Sequence, residues 1–503
     1  MADVIDVGDC KQLFIDNRWF ASAQGIRLAV NPPVKAGAVL TPDMPWESRC
    51  LNYATVIEHD GLVRMWYDTF AAGWDRQHMH RMTTAYAESR DGVHFERRNV
   101  NLFEWEGIRE NNIVMPGGCG TGVMLDPNAP EEQRFKAITL LAETAMWSES
   151  RGSINCTVPG LYETYLLTSP DGIRWKRHPM PASVLHHDTQ NHFFYDRRLR
   201  KYVAYLRLNT VGVDGVGWRQ VARTEFDDPM QTPWPFRRNP KSRKGPGYSI
   251  TQEGGEFPIA LGPDAYDPVE TDLYTPCVHQ YAWADGGYYL AFPAQYRHYP
   301  EGGPGQLPND GLVDVQLATS ADGVLFDRPD RRPYLPLGVD DAWDSGAAYM
   351  CLGMIRRGNE VYQYYNATRA THGAADMSKP ARDGSIGRTV QRLDGFMSAD
   401  ADYAGAAFST PLIRFSGPQL RLNADCSAVG QIWVEIRDER NLPIWGYTFP
   451  ECIPVDGNRV AALVRWKERR SVAELAGRPV RLYFKLRACR LYAFQFTSNG
   501  AGA

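Results

Sequence analysis

One strand-like phrase recurs at long, nearly regular intervals, and this limits the fold more tightly than any other feature. It reads "GLVRMWYDTF" from Gly61, "RFKAITLL" from Arg134, "RKYVAYLR" from Arg200, "GGYYLAFPAQY" from Gly286 and "NEVYQYYNATRA" from Asn359, so successive starts lie 73, 66, 86 and 73 residues apart. A fixed long period decides architecture before local propensity does. Each copy mixes aromatic and β-branched residues behind a turn, as a strand on a pleated, half-buried surface does. An apolar run precedes each copy ("NYATVIEH", "GTGVMLD", "NHFFYD", "CVHQYAW", "YMCLGMIRR"). Another follows it ("RMTTAYAES", "LYETYLLTS", "GWRQVARTE", "LVDVQLATS", "GRTVQRLDGF").

In three units the third run leads into one turn: "AESRDGVHFER" from Ala87, "LTSPDGIRWKR" from Leu167 and "ATSADGVLFDR" from Ala318. Gly tolerates positive φ and Asp accepts from nearby amides, so the dipeptide makes a turn. Asp91, Asp171 and Asp322 therefore read as turn-formers, and Phe95, Trp175 and Phe326 as wedges between units. Strand, turn, strand, loop, strand, Asp-Gly turn, strand gives four antiparallel strands per unit. Five units predict a five-bladed β-propeller. A sandwich would not give five like phrases, and a solenoid would use a shorter period.

After about residue 399 the phrase stops. "QLRLNAD", "GQIWVEIRDERNLPI" and "RPVRLYFKLRACRLYAFQF" alternate without it and predict an antiparallel β-sandwich. The expected organisation is all-β, with a five-bladed β-propeller catalytic domain over 1–398 and a C-terminal β-sandwich over 399–503. "KQLFIDNRWF", inside the first segment, either closes the ring or pairs with the sandwich.

With 55 basic against 59 acidic residues the net charge is −4, which gives no electrostatic case for nucleic acid or an anionic membrane as a partner. No apolar run is long enough to span a bilayer. No signal peptide is visible, so a cytoplasmic location is expected, although a trimmed secreted or periplasmic chain would read the same way. Nine cysteines without a CxxC pair read as free thiols in a reducing compartment, not as a zinc site. His78 and His80 share a strand face but lack a third ligand, so no metal is expected. GxSxG, P-loop and HExxH motifs are absent, and no cofactor is implied.

In a propeller the innermost strands line a central funnel, and the polar residues that open them face its mouth. The first unit offers Trp46, Glu47 and Asn52; the second offers Arg109, Glu110 and Asn112. The third offers His187, Asp188 and Gln190, the fourth Asp272 and Tyr274, and the fifth Asp344. Carboxylates, amides, arginines and aromatic faces together suit a carbohydrate partner. Glycosidic cleavage uses two carboxyl groups flanking the bond, one protonated and one ionised. Asp188 is the expected base or nucleophile, Asp272 the second carboxylate or pKa modulator, and Glu110 or Glu47 the acid. Trp46, Asn52, Arg109, Asn112, His187, Gln190, Tyr274 and Asp344 are the expected sugar contacts. Each has a plainer reading: Asp188 could cap a turn and Asp272 could simply open a strand. Glu143 and Glu163 sit on later strands, within reach of the mouth through their loops. His298 lies near a unit exit, where substrate hydrogen bonding or loop packing would occupy it.

The phrases "LFIDNRWF", "PWE" with "NYATVIEHDGLVRMWY", "NNIV" with "LDPNAPEEQRFKAI", "SPDGIRWK", "DTQNHFFYD", "RLDGFMS" and "VRLYFKLRACRLYAFQF" resemble a set of bacterial glycosyl hydrolases. In architecture these are similar to the family 32 and family 43 type five-bladed propeller hydrolases, and a C-terminal sandwich is typical of family 32. The resemblance implies hydrolysis by paired carboxylates without a cofactor, on a small glycan or a chain end, a furanoside among the candidates. The family 32 motifs do not carry over. Asn52 stands where the nucleophilic Asp would be, "RDP" is absent, and the "EC" at Glu451 falls in the sandwich. By position alone, Asp188, Asp272 and one of Glu47 or Glu110 could fill the roles of the two Asp and one Glu of family 43. The rival readings are a non-catalytic glycan-binding propeller, a phosphorylase with clustered Arg and His, and a lyase with a Tyr or His base. The sugar, the linkage, the stereochemical outcome and homo-oligomer formation stay open.

Overall fold

The computed structural model describes residues 4–74, 81–142, 162–183, 187–211, 217–234, 236–238, 250–252, 255–256, 259–285, 287–300, 310–374 and 381–498. His78, His80 and Glu143 lie outside them, as does the side chain of Glu163. The described chain is all-β, with helix confined to short 3-10 turns such as Pro45–Glu47.

Each repeated phrase is a strand between two others. Cys50–His59, Leu62–Phe70, Met82–Ser89 and Ile113–Pro116 form one sheet in chain order. Cys119–Leu125, Phe135–Ala142, Tyr162–Ser169 and Lys176–Arg177 form the next, and His192–Asp196, Lys201–Val211, Gly217–Phe226 and Ile259–Leu261 a third. Side chains alternate across a strand, and both faces of these sheets are covered. In Leu62–Phe70, Val63, Met65 and Tyr67 join one apolar cluster while Trp66 joins another with Phe135 and Trp175. That is why the phrase is apolar nearly throughout instead of alternating with polar residues.

The fourth copy of the phrase is broken. Tyr289–Ala291 pairs with Val278–Gln280 and Ala318–Ser320, whereas Ala294–His298 pairs with Thr271–Leu273 and Gly311–Val315. Between the two halves stands Pro293, which has no N–H for a ladder. The second half continues through Ala347–Met350, Glu360–Thr368 and Ser385–Arg392 to Val34–Leu40, so an early strand edges the last repeat.

Neighbouring sheets are bolted together near their first strands. The Gln190 amide donates to Ala54 O at 3.0 Å and Thr121 O at 2.9 Å. Val56 N donates to Leu352 O at 2.8 Å. The Cys277 thiol donates to Cys351 O at 3.3 Å, and Arg219 N donates to Asp272 Oδ1 at 2.9 Å. Two glycines permit this approach: a Cβ on Gly122 would stand 2.0 Å from Asn191 O, and one on Gly353 would stand 1.9 Å from Val56 O.

Residues at both chain ends build a second region. One sheet contains Ile5–Gly8, Ser22–Gln24, Ala406–Ser409, Ile413–Phe415, Gln431–Asp438 and Val480–Arg487. The other contains Gln12–Leu13, Arg27–Val30, Met397–Ala401, Gln419–Asp425, Asn458–Leu463 and Cys489–Thr497. Phe408, Ile432 and Phe484 from the first meet Leu420, Leu422, Leu491 and Phe494 from the second in one buried core. The early strand "KQLFIDNRWF" thus pairs here, through Gln12 opposite Phe494.

Candidate functional site

The first strands of the repeats begin, and the second strands end, on one side of the sheets. Several polar and aromatic side chains meet there. Asp188 precedes His192–Asp196 and carries a solvent-facing carboxyl, 56% exposed. Its backbone is held: Arg207 Nη1 donates to Asp188 O at 2.6 Å, and the Tyr274 hydroxyl donates to the same oxygen at 3.3 Å. Arg207 Nη1 also lies 3.5 Å from Asp188 Oδ2. The main chain is therefore pinned while the carboxyl faces outward.

Tyr274 sits at the centre of the group. The Arg207 guanidinium lies over its ring at 5.2 Å and that of Arg219 at 5.1 Å. Tyr349 packs edge-on to it at 6.0 Å and His372 at 5.5 Å. Tyr53 continues the aromatic wall by packing on Tyr349 at 6.1 Å. The Tyr349 hydroxyl and His372 Nδ1 share a 2.6 Å hydrogen bond. Burial, aided by the Arg219 charge, pushes His372 down to about 4, so its ring is neutral at pH 7, and burial raises the Tyr349 hydroxyl well above its ordinary value.

Asp272 is the opposite of Asp188. Its side chain is 2% exposed, and Oδ2 takes Arg219 Nη1 and His298 Nε2, each at 2.7 Å. Oδ1 accepts Arg219 N. Burial would raise this carboxyl, but the His298 bond and the Arg219 charge outweigh it and hold the group below the ordinary range. Arg219 links it to Tyr274, so Asp272 supports the cluster from behind.

The other expected residues are placed as follows. Asn52 is near the cluster: its Oδ1 accepts from Asn366 Nδ2 at 2.5 Å, and Asn366 Oδ1 accepts Tyr53 N at 3.2 Å. Trp46, Glu47 and Asn112 form a separate buried knot. Both Glu47 oxygens bind Arg97, one also takes the Tyr67 hydroxyl at 2.8 Å, and Asn112 links Trp46 to Tyr67. Arg109 and Glu110 are exposed on the segment before Ile113–Pro116, which is the fourth strand of the first sheet, so they do not open the first strand of the second repeat as expected. His187 is buried between Ser183 Oγ and Arg207 O, each at 2.9 Å. Gln190 is one of the bolts described above. Asp344 is buried against Lys35 Nζ at 2.6 Å and the Tyr365 hydroxyl at 3.1 Å.

Sequence reasoning passed over Arg207, Arg219, Tyr53, Tyr349 and His372. Arg207 lies on a second strand and Arg219 on a third, away from the first-strand openings where the expected sugar contacts lie. The clue was there: "AYLRLN" and "GWRQVA" put a cation inside an otherwise apolar strand. Asp68 was also passed over. It is buried, accepts Thr84 Oγ1, Gly120 N and Thr121 N, and burial nevertheless raises it to about 7.

No family model matches the chain, and no curated protein matches it. Solved structures do. A glycoside hydrolase aligns at 13% identity over 72% of this chain and 92% of its own, with a TM-score of 0.46. An N-acetylgalactosamine deacetylase from F. plautii aligns at 13% identity over 74% and 97%, with a TM-score of 0.47. A GH32 beta-fructofuranosidase from Bombyx mori aligns at 9% identity over 96% and 95%, with a TM-score of 0.37.

Proposed function

We propose that the chain cleaves glycosidic bonds in the funnel of a five-bladed β-propeller, with the two six-stranded sheets forming a β-sandwich. The four antiparallel sheet groups and the last repeat, edged by Val34–Leu40, are the blades in this reading. Their cyclic contacts through Gln190, Arg219, Cys277 and Val56 support it. One observation carries the function: Asp188 presents a solvent-exposed carboxyl, paired with Arg207, on a pinned backbone beside a wall of Tyr53, Tyr274 and Tyr349.

In this mechanism Asp188 is the reacting carboxyl. Arg207 fixes its position, and the aromatic wall and Asn52 form the sugar-binding side. Asp272 positions Arg219 and Tyr274. Neither expected acid opens an available first strand: Glu110 leads into Ile113–Pro116, the fourth strand of the first sheet, and the Glu47 carboxylate is committed to Arg97 and Tyr67.

A second reading, phosphorolysis or elimination from a uronate, is favoured by the gathering of Arg207, Arg219, His298 and His372 round Tyr274 and Tyr296. Those chemistries need cations for an anion and a Tyr or His to move a proton. Aryl pyranosides, aryl furanosides and uronate oligosaccharides should be screened with and without inorganic phosphate. Reducing sugar released without phosphate supports hydrolysis; a sugar phosphate or an unsaturated uronate supports the second reading. Activity that survives Asp188→Asn removes Asp188 from either, and glycan binding without turnover leaves the non-catalytic alternative.

A further inference from the structure

The strands Gln419–Asp425 and Cys489–Thr497 run antiparallel, with Ala424 opposite Leu491 and Asp425 opposite Arg490. The next position in that register places Cys426 opposite Cys489. Both residues lie at corners where the chain crosses between the two sheets of the second region. Cys426 leads towards Gln431–Asp438, and Cys489 follows directly on Val480–Arg487. They share one buried core, at 0% and 5% exposure, and both are free thiols.

We propose that Cys426 and Cys489 are a modification site, at which hydrogen peroxide converts two facing thiols into a cross-strand disulfide that staples these corners together. Directly opposed antiparallel residues have Cα atoms about 4.5–5.5 Å apart, inside the range of about 4.4–6.8 Å that a disulfide spans. The Cys426 thiol donates to Val455 O at 3.7 Å. Its neighbour Cys489 holds the Cys426 thiol below the ordinary range and is itself pushed up, so Cys426 is the better thiolate. Cys489, and Asp425 and Ser427 on either side of Cys426, line a surface cavity of about 560 Å³, which is an entry path for a small oxidant.

The chemistry balances. The Cys426 thiolate attacks one peroxide oxygen, the O–O bond breaks, and the departing hydroxide takes the thiol proton and leaves as water. Cys426 is then a sulfenic acid. The Cys489 sulfur attacks it, the S–O bond breaks, and a second water leaves with the Cys489 proton. Two thiols lose two electrons, and one peroxide becomes two waters.

The test uses the reduced full-length chain. It is exposed to equimolar hydrogen peroxide, the remaining thiols are alkylated, and the chain is digested without reductant for mass spectrometry. The expected product is a joined peptide pair carrying Cys426 and Cys489, lost on treatment with dithiothreitol. Recovery of both residues as alkylated thiols while other cysteines oxidise overturns the proposal. So does a joined pair made instead of Cys277 and Cys351, which are also close. In Cys489→Ser the reaction should stop at Cys426 and give a dimedone adduct there. Absence of that adduct, with the joined pair present in the unaltered chain, removes Cys426 as the attacking thiol.

Discussion

The aspartates of the outer turns and those at the centre of the sheets are the same residue put to different uses. In the turns the bonding repeats almost atom for atom. Asp91 Oδ1 accepts Val93 N and His94 N; Asp171 Oδ1 accepts Ile173 N and Arg174 N; Asp322 Oδ1 accepts Val324 N and Leu325 N. The preceding Ser accepts the Gly amide at 2.9 Å in all three. The Gly carbonyl then receives a donor from the adjoining sheet, namely Tyr364 at Gly92, Trp66 at Gly172 and Tyr205 at Gly323. At the centre nothing repeats: Asp188 faces solvent, Asp272 is buried in an ion pair, and Asp68 is buried among hydroxyls and amides. A residue that recurs with its bonds is holding the fold. A residue that recurs in type alone is available for chemistry.

The sharpest way to break this contrast is Asp188→Asn. If Asp188 reacts, turnover on any accepted glycoside falls by about 10²–10⁴-fold, the usual weight of one acid–base group. Stability should change by no more than about 0.5 kcal/mol, because the side chain is exposed. Steady-state rates and a urea melt read both. Asp272→Asn should do the reverse in stability, costing about 3–5 kcal/mol by leaving Arg219 with a broken buried pair. The folded Asp272 carboxyl lies below its unfolded value of about 3.9. Its contribution is therefore fully present above that pH and lost as the pH falls through the folded value. The gap between the two proteins in acid titrations should close below about pH 4. A gap that persists there would show that packing, not charge, sets the cost.

The outer turns were legible because local chemistry writes them into adjacent residues. The Ser-x-Asp-Gly order predicts both the turn and its wedge, and Phe95 does meet Tyr364 edge-on at 5.7 Å, as Phe326 meets Tyr205 at 6.0 Å. Strand order within the first three repeats was legible for the same reason. The centre was less so, since its members come from different repeats and from different strands of each. Asp188 and Tyr274 were found by register. Arg207, Arg219 and His372 were not, because they meet Tyr274 only where different repeats come side by side. Glu47 and Asp344 show the converse. Each opens a first strand and looks available, yet Arg97 and Lys35, distant in sequence, occupy them. Partners 50 and 309 residues away leave no trace in a local phrase. The break at Pro293 was visible as a residue, but the repeat masked its effect on pairing.

The smallest effects test the turns themselves. Gly172 has φ +74°, and a Cβ there would stand 2.5 Å from Trp66 Cζ2. Gly172→Ala should therefore cost about 1–3 kcal/mol through strain and crowding. Asp171→Ala removes the acceptor for two backbone amides and should cost about 1 kcal/mol, as loss of a comparable helix cap does. Burial would raise the Asp171 carboxyl, but those N–H bonds hold it below the ordinary range, so this cost too should fade in acid. Neither change touches the Asp188 group, so kcat/KM should be unaltered for both at temperatures well below the melt. A fall in kcat/KM with stability intact for Asp171→Ala would erase the distinction between the two sets of aspartates. Equal stability costs for Asp91→Ala, Asp171→Ala and Asp322→Ala would sharpen it, since the backbone bonds they share should yield similar energies in three different sheets, with the exposed pairs to His94 and Arg174 adding little.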